Sequence, residues 1–203
     1  MKLIVGLNNP EERFNNTRHN AGAMVLDHKL KDEVEAEKFR GRVIGPVMYE
    51  GIEAVFLKPS TYMNDSGKSV REAVEAYKID LKNVLIISDD VALPFGKIRM
   101  RAAGSSGRHK GLDSIFACLM TSNIPRLKIG VGLKPAEYTL RDWVLGKFSD
   151  EELRDWPVIC DAAWNAISIW AKHGIEQAMS DANCFDLRKY LAQKESENTA
   201  LEI

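Results

Sequence analysis

Residues Lys2–Pro10 read KLIVGLNNP, a short apolar run followed at once by two amides and a proline. A continuous apolar run of this length is typical of a strand buried on both faces of a parallel sheet. Three more runs rich in β-formers follow along the chain: Ala54–Leu57 (AVFL), Val84–Ile87 (VLII) and Leu127–Val131 (LKIGV). Stretches with helical spacing lie between them, at Ala21–Lys38 and Lys68–Tyr77.

This alternation predicts an α/β fold, in which helices flank a twisted mixed sheet that is largely parallel. From Asp150 onward, apolar residues recur every three or four positions, which predicts a helix that ends near His173. A shorter C-terminal helix is expected at about 175–179. We expect one globular domain over residues 1–190 and a polar, frayed C-terminal tail over 191–203.

Composition excludes several classes of protein. The 203 residues include 45% hydrophobic side chains and a net charge of −1, which argues against a disordered chain and against a general nucleic-acid coat. No apolar run approaches the length of a membrane span, and the N-terminal run is too short for a signal peptide. The three cysteines, Cys118, Cys160 and Cys184, form no disulfide or zinc pattern, so a reducing cytoplasm is expected.

Polar clusters follow each of the first three predicted strands. They are Asn8–Asn9, Lys58–Asn64 and Ser88–Asp90. Ligands of open α/β sheets bind beyond the carboxyl ends of the strands, so these clusters predict one site built from distant segments. The alternative is that each is an ordinary turn, since the same residue types form turns.

Common cofactor and nucleophile motifs are absent. Ser66–Ser69 (SGKS) resembles part of a P-loop, but that motif needs glycine at position 62, where Tyr62 stands. No GxGxxG follows the first strand, and neither HExxH nor GxSxG occurs. We therefore expect no cofactor and no metal.

His19 follows the first strand, and Asp89 ends the third. A carboxylate bonded to one imidazole nitrogen leaves the other nitrogen free to take a proton from water, which indicates direct hydrolysis. The amides of Asn9 and Asn64 would hold a carbonyl group or its oxyanion. Against this, an isolated histidine at a loop–helix junction is more often a cap or a surface residue.

Residues Gly96–Gly111 contain five cations and no acid. Lys97, Arg99 and Arg101 alternate, so on a strand they would share one face. The cluster favours a polyphosphate partner such as RNA, although a solvated loop is the alternative.

Seven motifs together, in this order, resemble the bacterial-type peptidyl-tRNA hydrolase family: KLIVGLNNP, TRHNAG, KPSTYMNDSGK, DDVALPFG, GSSGRHKGL, RLKIGVG and WVLGKFS. The resemblance spans about residues 2–185. It implies a monomeric, metal-independent cytoplasmic enzyme with no membrane partner. Its substrate would be peptidyl-tRNA, and it would hydrolyse the ester between the peptide and the 3′ ribose.

The resemblance also implies residue roles. His19 would be the general base and Asp89 its orienting partner. Asn9 would recognise the peptide, and Asn64 would hold substrate and position the water. The remaining contacts would be substrate-binding Phe14, Tyr62 and Lys110, and phosphate-binding Lys97, Arg99, Arg101, Arg108 and Lys128. The segment around 143–148 would flank and partly cover the cleft.

The chain departs from the family pattern at four positions: Glu11 and Arg108 replace glycines, Ala92 replaces an acid, and Lys110 replaces an asparagine. These changes leave open an RNA-binding scaffold with little or no catalysis, as in splicing-associated relatives. A phosphotransferase built on Asp89-Asp90 is the third alternative.

Overall fold

The computed structural model describes residues 1–201, with side chains for residues 1–197. Seven strands in this part of the chain form one mixed sheet in the order β2-β3-β4-β1-β5-β7-β6. Their bounds are β1 Lys2–Gly6, β2 Ala36–Lys38, β3 Gly41–Tyr49, β4 Ile52–Pro59, β5 Val84–Asp90, β6 Ile98–Arg101 and β7 Arg126–Gly130. The four central strands, β4, β1, β5 and β7, are parallel, and the others pair antiparallel. The predicted fold class is confirmed.

Helices cover both faces of the sheet. Their bounds are α1 Ala21–Leu30, α2 Ser66–Tyr77, α3 Lys110–Leu119, α4 Leu140–Leu145, α5 Asp150–His173, α6 Ile175–Ala182 and α7 Leu187–Leu201. Helix α5 begins with a capping box between Ser149 and Glu152, as the acids in its first turn lead one to expect. No helix in residues 1–201 combines the length and hydropathy needed to cross a bilayer.

Alternate residues of the central strands point to two separate cores. Ile4 and Ile87 face one core with α1 and α5, whereas Val5 and Ile86 face the other core with α2 and α3. This double burial explains why these strands read as continuous apolar runs. Helix α5 is tied to α1 by a 2.7 Å hydrogen bond from the indole nitrogen of Trp164 to the carbonyl oxygen of Val25.

Two local predictions are wrong. The stretch Ala21–Lys38 is not one helix, because α1 ends at Leu30 and Ala36–Lys38 forms β2. A two-residue hairpin joins β2 to β3, with Phe39 and Arg40 both at positive φ. Asparagine and glycine usually occupy such a turn, so the sequence carries no signal for it. The second is the frayed C-terminal tail. Helix α7 extends through Leu201, although residues 192–197 are exposed.

Candidate active site

The carboxyl ends of the parallel strands meet at one edge of the sheet and surround a cavity of about 700 Å³. Gly22 brings the start of α1 against this edge, because a Cβ there would lie 2.3 Å from the carbonyl oxygen of Ile87. Nine of the predicted site residues line the cavity: Asn9, Phe14, His19, Tyr62, Asn64, Asp89, Arg108, Lys110 and Lys128. The three other predicted residues, Lys97, Arg99 and Arg101, do not line it.

His19 and Asp89 are in direct contact although 70 positions separate them. The Nδ1 atom of His19 lies 2.8 Å from Oδ1 of Asp89, and the two residues are 9% and 5% exposed. His19 sits in the 3-10 turn Arg18–Asn20, and Asp89 is near the end of β5. The carboxylate accepts the Nδ1 proton, which leaves Nε2 of His19 with a free lone pair.

A second histidine shares this carboxylate. Nε2 of His109 also lies 2.8 Å from Oδ1 of Asp89, and the rings of His109 and His19 are 4.7 Å apart. Nδ1 of His109 accepts hydrogen bonds from the backbone N–H groups of Gly111 and Leu112, where it caps α3. His109 is therefore the neutral tautomer with its proton on Nε2, donating to Asp89. His109 was not predicted as a site residue, although it stands in the GSSGRHKGL motif.

The electrostatics of the pair follow from this geometry. Burial alone would raise the pKa of Asp89, but the two imidazoles outweigh it and hold that pKa well below its usual range. Burial alone would lower the pKa of His19, but the Asp89 carboxylate outweighs it and raises that pKa. Asp89 is therefore an anion that stabilises the protonated form of His19.

Asn9 has a defined amide orientation. Its Oδ1 accepts the backbone N–H of Met63 at 2.9 Å, so its Nδ2 is the group left to donate into the cavity. Its backbone is held by two reciprocal hydrogen bonds with Asn20, at 2.8 and 3.0 Å. Asn9 is therefore a preorganised donor for a carbonyl oxygen.

Asn64, Phe14 and Tyr62 form the more open part of the cavity. Asn64 and Tyr62 are exposed, and Asn64 belongs to the 3-10 turn Met63–Asp65 that follows β4. The Tyr62 hydroxyl donates to Glu11 at 2.5 Å, and Glu11 also pairs with Arg13 at 2.8 Å. Glu11 thus adds a carboxylate beside Tyr62, which lines the cavity, and tethers the tyrosine.

Arg108 and Lys110 lie on the opposite loop. Arg108 adopts φ of +69° and follows Gly107 at +63°, a backbone region that favours glycine. Lys110 is the first residue of α3 and is exposed. Within residues 1–197 neither cation forms an ion pair, so both are available to an anion.

The basic residues of β6 and β7 share one face, as their alternation predicts. Arg99 pairs in register with Lys128, and Arg101 with Arg126. Arg126 is 1% exposed and donates to the carbonyl oxygens of Gly104 and Ser105 at 2.8 and 2.9 Å, which braces the basic loop.

Two of the predicted phosphate-binding cations already have acidic partners. Lys97 pairs with Asp186 at 3.2 Å, and Lys128 pairs with Asp90 at 2.7 Å. In the described side chains, Arg99 and Arg101 form no such pair. The two arginines therefore contribute most of the uncompensated charge on this face.

His19, Asp89 and His109 also meet the spacing of a metal site, since their ligand atoms lie within 4.8 Å of one another. The hydrogen bonds give these atoms another role. Nδ1 of His19 and Nε2 of His109 both carry protons directed at Asp89, so metal binding would require the loss of both protons. With Asp89 and Asp90 both engaged, the geometry also argues against the phosphotransferase alternative.

Comparison with known proteins identifies one family. The family model described as Peptidyl-tRNA hydrolase matches residues 3–192. A peptidyl-tRNA hydrolase of Carboxydothermus hydrogenoformans is 42% identical over 186 residues, covering 90% of this chain and 98% of the relative. One of Clostridium botulinum (strain Alaska E43 / Type E3) is 43% identical, covering 93% and 99%. The crystal structure of peptidyl-tRNA hydrolase from Acinetobacter baumannii superposes with a TM-score of 0.81 at 31% identity, covering 92% and 96%.

Proposed function

The chain belongs to the peptidyl-tRNA hydrolase family, and from that premise we propose that it hydrolyses the ester between peptide and tRNA with His19 as the general base. The observation that carries the proposal is the His19–Asp89 contact, which leaves Nε2 of His19 as an unprotonated acceptor in the cavity. The cavity beside His19, its Asp89 partner and its tautomer with the proton on Nδ1 together suit activation of a water molecule.

In the proposed reaction, Nε2 of His19 takes a proton from water as the water oxygen attacks the ester carbonyl carbon. The negative charge that develops on the carbonyl oxygen is stabilised by side-chain amides, with the free Nδ2 of Asn9 supported by its fixed orientation. As the tetrahedral intermediate collapses, the C–O bond to the ribose breaks. Protonated His19 returns the proton to the 3′ oxygen, which yields free tRNA and the peptide's carboxylic acid, and the acid then loses its proton to solvent to become the carboxylate.

Other residues bind the substrate in this proposal. Asn9 recognises the peptide portion, and Asn64 holds substrate and positions the water. Phe14 and Tyr62 form the apolar wall near the 3′ end. Cations contact phosphates and the substrate, with Arg99 and Arg101 foremost, followed by Arg108, Lys110, Lys97 and Lys128.

His109 is a positioning residue in the same proposal. It donates to Asp89 beside His19, so the carboxylate oxygen has two donors that hold it in one place. A fixed carboxylate in turn fixes the ring of His19.

The RNA-scaffold alternative is not favoured. A scaffold needs no buried carboxylate between two imidazoles, because such a group is costly to desolvate. Here that arrangement accompanies family membership over nearly the whole chain.

We also propose that the protein works as a cytoplasmic monomer and that residues 1–190 are its functional unit.

The test is ester hydrolysis of N-acetyl-aminoacyl-tRNA with EDTA present, comparing the parent with His19→Ala. We expect EDTA-resistant turnover in the parent and a loss of about 10²–10⁴-fold in the variant. Parent-like turnover in His19→Ala would remove His19 from the reaction, and loss of the parent's turnover in EDTA would indicate a metal.

A further inference from the structure

Arg18 precedes His19 in the 3-10 turn and is 7% exposed. Its Nη2 donates to both carboxylate oxygens of Glu152, at 2.9 and 2.8 Å. Its Nε donates to the carbonyl oxygen of Val131 at 3.1 Å, and its Nη1 donates to that of Lys147. Each guanidinium nitrogen therefore has a partner outside the turn.

The same guanidinium supports one wall of the cavity. Its carbon lies 4.0 Å from the ring centroid of Trp143, whose Nε1 donates to the carbonyl oxygen of Gly132 at 3.1 Å. Trp143 belongs to α4, and its neighbours Leu140 and Val144 line the cavity. Arg18 thus stacks against the helix that encloses the reaction space.

Glu152 anchors this arrangement to the largest helix. Its Oε2 accepts the backbone N–H of Ser149 at 2.7 Å, so one carboxylate both caps α5 and holds Arg18. Helix α5 packs in the core through residues such as Ile159 and Trp164. The ion pair therefore joins the turn to a rigid part of the molecule.

Backbone pairing reinforces the link. The N–H of Arg18 donates to the carbonyl oxygen of Gly146 at 3.0 Å, and that of Phe148 donates to Asn16 at 2.9 Å. Beyond Arg18, the next two side chains reach other elements: His19 contacts Asp89 and Asn20 contacts Asn9. Three consecutive side chains thus tether the turn to three separate parts of the fold.

We propose that Arg18, held by Glu152, is a positioning residue that sets the His19 ring against Asp89 and keeps the α4 wall in place around the substrate. This inference rests on the proposed function, because it takes His19 as the general base. Lysine cannot replace arginine here, since an ammonium group lacks the planar fork and the stacking surface.

The experiment compares Arg18→Lys, Glu152→Gln and the milder Trp143→Phe with the parent. We measure kcat and KM on N-acetyl-aminoacyl-tRNA, and titrate the His19 imidazole by NMR. The groups that contact His19 are Asp89 and His109, and the other charged groups of its cavity include Asp90, Lys110, Lys128 and Arg141. None of these six is altered in the variants.

For Arg18→Lys and Glu152→Gln we expect kcat to fall by about 10-fold to 100-fold, because small misplacements of a catalytic group are costly. KM should rise, and the His19 titration should move to lower pH as its contact with Asp89 loosens. Trp143→Phe, which keeps the ion pair, should raise KM with a smaller loss of kcat. Trp143→Phe also tests the role of the α4 wall if Arg18→Lys and Glu152→Gln do not fold.

Ile167→Val is the matched control. Ile167 lies in the α5 core and is fully buried, so this change lowers stability without touching Arg18. Its kcat, KM and His19 titration should equal those of the parent. The proposal would be overturned if Arg18→Lys, Glu152→Gln and Trp143→Phe all folded and kept the kcat, KM and His19 titration of the parent. His19→Ala would remain inactive in that case, so the proposed function would stand. Parent-like turnover in His19→Ala would instead reject His19 as the general base of the proposed function.

Discussion

The imidazole rings of His19 and His109 lie 4.7 Å apart, and both donate to the same oxygen of Asp89. The tautomer of His109 is fixed because its Nδ1 caps α3. His19 keeps a free Nε2 in the cavity. The arrangement divides the roles of two histidines, of which only His19 was predicted from the sequence to belong to the site.

Asp89→Asn tests the orienting role of the carboxylate. We expect kcat to fall by about 10²–10⁴-fold with little change in tRNA affinity.

Because His19 acts unprotonated, kcat/KM of the parent should rise with pH around a midpoint above the ordinary histidine value of about 6.5. In the variant, burial lowers the pKa of His19 without opposition, so the midpoint should fall. A selective loss of tRNA affinity would assign Asp89 to binding instead.

Folding stability should carry the signature of the same pair. The raised pKa of His19 adds stability below its unfolded value and loses it as pH rises through the folded value. The lowered pKa of Asp89 adds stability above its unfolded value and loses it as pH falls through the folded value. The stability difference between the parent and Asp89→Asn should therefore be largest between about pH 4 and 6.5. Urea unfolding at pH 5.5 and 8.5 measures it, and an equal difference at both would contradict the ion pair.

His109→Ala should lower kcat by about 10–100-fold, the value of one hydrogen bond to a charged group. It should also cost about 1 kcal/mol of stability through the lost cap of α3. His28→Ala is the control, since His28 pairs at the surface with Asp161. Thermal unfolding and steady-state kinetics separate the two effects, and parent-like kcat in His109→Ala would show that Asp89 needs only one donor.

Salt dependence should distinguish the cations of the β6 face. Arg101→Ala should reduce the slope of log affinity for tRNA against log salt by about one, because one released counterion is lost. Lys97→Ala should reduce it less, since Asp186 already neutralises that side chain. Filter binding over a salt series measures both slopes. Equal slopes for parent and Arg101→Ala would move the phosphate contact elsewhere.

Glu11 places a carboxylate, paired with Arg13, beside the cavity residue Tyr62, where a polyanion must approach. Glu11→Gln keeps an acceptor for the Tyr62 hydroxyl but removes the charge. KM for the tRNA substrate should fall by about twofold at low salt and converge with the parent at high salt. Tyr62→Phe, which removes only the hydroxyl, should not reproduce this salt dependence. The same KM at all salt concentrations would show that the charge has no influence on tRNA approach.

Much of the fold was predictable because its determinants are local. The buried central strands read as apolar runs, and helix α5 was predicted to begin at Asp150 and to end near His173. The outer strands were not predicted. β2 depends on a hairpin with Phe39 and Arg40 at positive φ, and β6 is a four-residue edge strand.

Strand-end chemistry and motif spacing by themselves predicted one site that contains Asn9, Asn64, His19 and Asp89. Only the tertiary structure decided that His109 shares the carboxylate, that Asp186 and Asp90 neutralise Lys97 and Lys128, and that Glu152 holds Arg18. The physical reason is the sequence separation between the residues that interact. A strand or helix follows from neighbours a few residues apart, whereas these contacts join side chains 20 to 134 positions apart, and their existence depends on strand order and helix packing.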